Sequence, residues 1–189
     1  MDGPKAIGEP ARPEAPARRA RLFAARDSGS AAVEFSFIAA FLGLALLNTV
    51  DIARYLFART AIQNATQMAA QTAWQTCGTA LLPATTSCPG LTAALTAAVH
   101  SSSLGTRVAL AAGSPTEAYY CVNSAGALVS VSAISSKPAD CSSVGNAAGQ
   151  PGDYIKIQAS YAYKPLFSGI SVAGRFTTPI AVTSIMRLQ

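Results

Sequence analysis

The pattern of apolar positions along this chain changes character twice. From Phe35 to Val50 sixteen consecutive residues carry no charge and most are apolar, the signature of a membrane-inserted helix. From Tyr55 to Ala73 the apolar positions thin into a seam of Tyr55, Ala58, Ile62, Ala65, Ala69 and Ala73, at steps of three and four. Thr60, Asn64, Gln67, Gln71 and Gln75 recur on the other side, so this stretch predicts an amphipathic helix with a small-residue face. No Pro or Gly interrupts Leu44 to Cys77, and a single helix is expected from about Ser30 to about Thr76. At 1.5 Å per residue it would be roughly 70 Å long, half in lipid and half outside.

After Cys77 the composition shifts to Thr, Ser, Ala, Gly and Pro. Residues 91–103 predict a short helix ended by Gly105. Beyond it the period falls to two. Val129, Val131 and Ala133 alternate with Ser130 and Ser132, and Asn123-Ser124-Ala125-Gly126 turns the chain back on Tyr119–Val122, which predicts a hairpin. Tyr154–Tyr163 is the clearest strand, with Ile155, Ile157, Ala159, Tyr161 and Tyr163 on one face and Lys156, Gln158 and Ser160 on the other. Ile180–Leu188 predicts a last strand with Ile180, Val182, Met186 and Leu188 inward. The expected fold is α+β: a long N-terminal membrane-inserted helix packed against a small antiparallel sheet of three or four strands. The expected divisions are a basic cytoplasmic leader (1–29), a transmembrane half-helix (30–53), an extracytoplasmic half-helix (54–77) and a small globular domain (78–189).

Charge sharpens this picture. The chain has 189 residues, is half hydrophobic and carries a formal net charge of +5. Residues 1–29 hold six basic and four acidic side chains, leaving about +3 for the rest. That is too dilute for a nucleic-acid footprint, which needs a clustered basic face. Arg18, Arg19, Arg21 and Arg26 would hold the N-terminal end on the cytoplasmic side. Pro4, Pro10, Pro13 and Pro16 argue against a continuous helix in the leader. After Leu47 the chain reads Asn48-Thr49-Val50-Asp51, without the small-residue pattern of a signal-peptidase site, so cleavage there is disfavoured.

One charge stands out. Glu34 sits just inside the mouth of the apolar run, five residues after Gly29. A carboxylate carried into hydrocarbon costs roughly 2–3 kcal/mol even on insertion scales, and so marks function and calls for a partner. Capping explains it poorly, because a capping box needs Ser or Thr three residues earlier and that position is Ala31. The helix dipole would favour the acid by only about 0.3–1 kcal/mol. A cut after Gly29 would expose an amine at Ser30, and Glu34 of a neighbouring copy could pair with it, offsetting the burial of both charges.

These residues resemble a known family. Gly29 followed by Ser30-Ala31-Ala32-Val33-Glu34-Phe35 is similar to the cleavage site of prepilin-type signal peptides. With Asp51-Ile52-Ala53-Arg54, the Ala/Gln-rich helix and the terminal Tyr161-Ala162-Tyr163-Lys164-Pro165-Leu166-Phe167 and Ser184-Ile185-Met186-Arg187, the chain resembles the TadE-like pseudopilins of the tight adherence (Flp) pilus apparatus. The resemblance covers residues 28–77 and 153–188. It implies a pilin-like arrangement, cleavage between Gly29 and Ser30 by a membrane prepilin peptidase, and a role for Glu34, with Phe35 beside it, in subunit assembly. It also implies other pilin and pseudopilin subunits, an inner-membrane assembly platform and membrane lipid as partners. The localisation it implies is a single pass of the inner membrane with the C-terminal domain extracytoplasmic. The sequence departs from the family pattern where Asp27 and Ser28 separate Arg26 from Gly29.

Fewer than 115 residues remain for the outer domain, and cores of this size commonly need covalent support. Cys77, Cys88, Cys121 and Cys141 allow three pairings. Cys77–Cys88 with Cys121–Cys141 is favoured because each bridge closes one local loop. With no Cys-x-x-Cys and His100 the only histidine, a zinc site is disfavoured. Gly169-Ile170-Ser171-Val172-Ala173 misses the nucleophile elbow by one residue, and no cofactor motif is present. Asn64-Ala65-Thr66 fits a glycosylation acceptor by chance within a helix. Leu166, Phe167 and Ile170 form a loop of apolar residues that is expected to pack into the core, with a membrane or subunit contact as the alternative. A structural, non-enzymatic role follows. The competing possibility is an uncleaved single-pass envelope protein whose outer domain binds a ligand or adheres to a surface.

Overall fold

The structure, a computed structural model, describes the backbone of residues 17–189 and the side chains of residues 29–189. The chain divides into two units, Met1–Leu46 and Leu47–Gln189. Helix α1 (Ala17–Cys77) supplies the described part of the first and the opening element of the second. Its start corrects one expectation: the helix begins at Ala17 rather than near Ser30. All four leader prolines precede Ala17, so none removes a hydrogen bond from the helix interior. Residues 1–16 of the expected leader (1–29), and the side chains of its arginines, lie outside the described residues.

In the first unit the apolar side chains of α1 are solvent-exposed among the described residues. Val33, Phe35, Phe37, Ile38, Phe41, Leu42, Leu44 and Leu46 are all exposed. Gly29–Cys77 is long and apolar enough to cross a membrane. In water such a surface would be strongly unfavourable, at about 25 cal/mol per Å² of apolar area, so lipid is its natural solvent.

The second unit is built on the alanine seam. Ala58, Ile62, Ala65, Ala69, Ala73 and Cys77 are buried, while Thr60, Asn64, Gln67, Gln71 and Gln75 are exposed. Small side chains let the helix lie close to the sheet, and Ile62 joins Ile155 and Ile157 in one core. Thr66 is buried on the same face, and its hydroxyl donates to the Ile62 carbonyl (2.6 Å), which removes the cost of an unpaired polar group. After α2 (Ala84–Ser87), helix α3 (Leu91–His100) adds Leu91, Leu95 and Val99 to the same core.

Five antiparallel strands complete the unit, one more than the upper expectation: β1 (Val108–Leu110), β2 (Thr116–Val122), β3 (Leu128–Ala133), β4 (Gly152–Tyr161) and β5 (Ile180–Arg187). Strand β4 is the centre. One edge pairs along its length with β5, from Tyr154↔Arg187 to Tyr161↔Ile180. The other edge takes β2 opposite residues 152–156 and the short β1 opposite 159–161. The added strand β1 has only three residues, too few for an alternating pattern to announce it. The β2–β3 hairpin forms as the period predicts, with Asn123 Oδ1 accepting from the Ala125 and Ala127 amides across the turn. Disulfides join Cys77 to Cys88 and Cys121 to Cys141. The first ties the end of α1 to the chain entering α3, and the second ties β2 to the segment entering β4. Each closes a loop worth roughly 3 kcal/mol in the chain-entropy picture.

A buried acid sits where β4 begins. Asp153 is 5% exposed, and its Oδ1 has no hydrogen-bond partner among the described residues. Burial, then the neighbouring charge of Glu117, raise its pKa from the usual 3.8 to about 7, with Lys137 opposing them. Glu117 is itself held in place, accepting from the Ala84 and Thr85 amides and the Thr85 hydroxyl. The folded domain therefore holds a proton that the unfolded chain has released. Its stabilisation is full below about pH 4 and is lost as pH rises through about 7. After allowance for solvent screening, the expected loss is about 1–2 kcal/mol between pH 4 and pH 8. Thermal unfolding of the full chain in detergent should show this decline, and Asp153→Asn should flatten it. An equal slope in the variant would assign the pH dependence elsewhere.

Candidate functional site

The residues singled out for processing and assembly lie on α1 in the first unit. Gly29 and Ser30 are exposed on the helix, and the space a Cβ would take at Gly29 is open. Asp27-Ser28-Gly29-Ser30 is the weakest helix-forming stretch of α1, since glycine alone costs about 1 kcal/mol relative to alanine in a helix interior. Local unwinding, which a protease needs, is least costly there. Glu34 is exposed one turn on, with no hydrogen-bond or ion-pair partner for its carboxylate among the described residues. Phe35 beside it is 72% exposed. The four cysteines lie in the second unit, where they form the two bridges.

A second polar site, at the start of the second unit, has no assigned role in the sequence reading. Asp51 is fully buried on α1. Its Oδ1 accepts from the Leu166 amide (2.9 Å) and its Oδ2 from the Phe167 amide (3.2 Å). The Tyr163 hydroxyl donates to the Asp51 carbonyl (2.8 Å), and Arg54 lies 3.8 Å from Oδ1. One turn earlier, Asn48 Oδ1 accepts from the Val172 amide (2.8 Å). Two side chains of one helix thus hold the connection between β4 and β5 by its backbone at two points, Leu166–Phe167 and Val172. Ring contacts close the site from the outer side, with Tyr55 edge-on to Tyr163 (5.2 Å) and against Phe176 (4.7 Å).

This arrangement corrects the expectation for the loop's side chains. Leu166 and Ile170 are 58% and 57% exposed, Val172 is 47% exposed, and only Phe167 is half-buried. The loop is fastened by its amides, and Tyr163 and Ala173 fill the core positions on either side, so no room is left for Leu166 or Ile170. Ser171, in the sequence that resembles a nucleophile elbow, accepts from the Ala173 amide (3.1 Å) as a turn cap. His100 lies within reach of the Val108 carbonyl (Nε2···O 3.1 Å), joining α3 to β1. Among the described residues no group of three or more His, Cys, Asp or Glu is placed to hold a metal ion.

The signal that could have found this site was in the sequence: Asp51 is the first charge after sixteen uncharged residues, and Asn48 precedes it by three. Neither a curated protein nor a solved structure matches the chain. Residues 29–71 match the family model described as TadE-like protein, and this segment, which carries Gly29, Glu34, Asn48, Asp51 and most of the alanine seam, is TadE-like.

Proposed function

We propose that the protein is a minor pseudopilin subunit acting in assembly or priming of a tight adherence (Flp, type IVb-like) pilus. Its role is structural. A membrane prepilin peptidase removes the leader after Gly29, and α1 stays in the inner membrane or passes into a bundle of like helices from other pilin and pseudopilin subunits. The basic leader faces the cytoplasmic assembly platform, and the disulfide-bonded domain lies outside the membrane. The TadE-like match over 29–71 supports the family context. The observation that carries the reading is Glu34, a carboxylate on an uncovered apolar helix, five residues after a glycine in weakly helical sequence. In hydrocarbon that acid requires a cation, and the amine of Ser30 on an adjoining copy supplies one once the leader is gone.

Intact-mass and N-terminal analysis of membrane-extracted protein test this directly. The expected chain begins at Ser30; a membrane-extracted chain that retains its arginine-bearing extension favours the uncleaved envelope protein instead. Glu34→Gln should insert normally and reduce piliation severely, because the amide keeps the shape and loses the charge. Normal piliation in that variant would leave Glu34 as a dipole partner only.

A further inference from the structure

The loop between β4 and β5 presents Leu166, Ile170 and Val172 to the outside while its backbone is bound to Asn48 and Asp51. Asn48 belongs to the uncharged run, and Asp51 follows its end directly. That run, Phe35 to Val50, spans only roughly 24 Å as helix, whereas a bilayer core needs about 30 Å. Whether Ala31–Glu34 before the run or Asp51–Arg54 after it supply the missing roughly 6 Å, Asp51 falls at the outer edge of the hydrocarbon, and the loop fastened to it is drawn to the same depth. A bare Asp51 would be costly there. The loop amides satisfy its carboxylate, and the apolar side chains of the loop face outward over it.

Just above, a groove of about 430 Å³ is lined by Ile52 and Leu56 together with Arg59 and Arg175. Arg59 and Arg175 are exposed beside this groove, and the exposed Lys164 immediately precedes the loop. Apolar side chains below and cations above match the layering of a lipid surface.

We propose that residues 165–172 form a second membrane contact: Leu166, Ile170 and Val172 enter the outer hydrocarbon boundary of the bilayer that α1 crosses, with Arg59 and Arg175 at its phosphate layer. The proposal rests on α1 lying in a membrane and not on leader cleavage.

All four cysteines of the chain are in disulfides, so single added cysteines can be labelled without reduction. The full chain carrying Ile170→Cys, Val172→Cys, Leu46→Cys or Ala125→Cys is labelled with an environment-sensitive fluorophore and placed in phosphatidylethanolamine–phosphatidylglycerol vesicles. Lipids with a nitroxide near the glycerol should quench the labels at 170 and 172, and aqueous iodide should spare them. The label at 125, on the hairpin turn, should behave in the opposite way. If 46 is quenched by lipid while 170 and 172 respond to iodide, the loop is in water and the proposal fails while the membrane span stands. If 170 and 172 are shielded from both quenchers, a second copy or another protein covers the loop, and the lipid assignment is overturned. If 46 is itself open to iodide, the membrane span fails and the loop contact fails with it. Two loop positions are used so that one misfolding variant does not decide the result.

Discussion

Asp51→Ala is expected to destabilise the second unit by about 3–5 kcal/mol, since it removes hydrogen bonds to a carboxylate worth roughly 1.5–3 kcal/mol each and leaves their donors stranded. The donors are the Leu166 and Phe167 amides, for which no other acceptor is found among the described residues. The Tyr163 hydroxyl bonds to the Asp51 backbone carbonyl and survives the substitution, so the effect should concentrate in residues 165–176. Arg175 is exposed within that segment, and tryptic cleavage after it should accelerate at least as much as the global melting temperature falls. Asp51→Asn keeps one acceptor for one amide and should lose about half as much. Equal melting and equal Arg175 protection in wild type and Asp51→Ala would show that the loop is held by its ring contacts instead.

The structure clarifies why Asp51 escaped a sequence reading while the seam did not. Periodicity reports which side chains share a face, and the alanine positions at steps of three and four are all buried as the pattern requires. It reports nothing about a single acid whose partners lie more than a hundred residues away and are backbone amides, identical in every residue type. The same limit applies to Asp153 and Glu117, brought together by the β2–β4 register, where Tyr119 faces Asp153 and Glu117 faces Ile155. Strands β4 and β5 were legible because each alternates over eight or more residues. The hairpin was legible from its turn, although Leu128 and Val129 on its edge strand are exposed rather than covered. The loop at 165–172 was misplaced for a related reason. Hydrophobicity predicts removal from water, and in a protein with a membrane-length apolar helix the core is not the only destination.

The alanine seam carries the second large effect. Ile62→Ala should cost about 2–5 kcal/mol, because Ile62 is fully buried in the same core as Ile155 and Ile157 and its loss leaves a cavity that the helix backbone cannot follow inward. Ala69→Leu should cost about 1–3 kcal/mol in the opposite sense, by forcing apart a contact in which Ala69 has no exposed surface. Gln71→Ala, on the exposed face two residues on, should change stability by less than about 0.5 kcal/mol. Thermal unfolding of the full chain in detergent, with both disulfides intact, checks all three. The pair of seam variants is informative because cavity and overpacking are opposite errors at one interface. A helix that merely touched the sheet would tolerate Ala69→Leu by tilting outward, and Ile62→Ala by leaning in. A helix fixed at its lower end by the Asp51 clamp and at its upper end by the Cys77–Cys88 bridge can do neither, so both changes must register as lost stability. If Ala69→Leu melts like wild type, the clamp and the bridge do not fix the helix, and the seam's small side chains serve some other purpose than close approach.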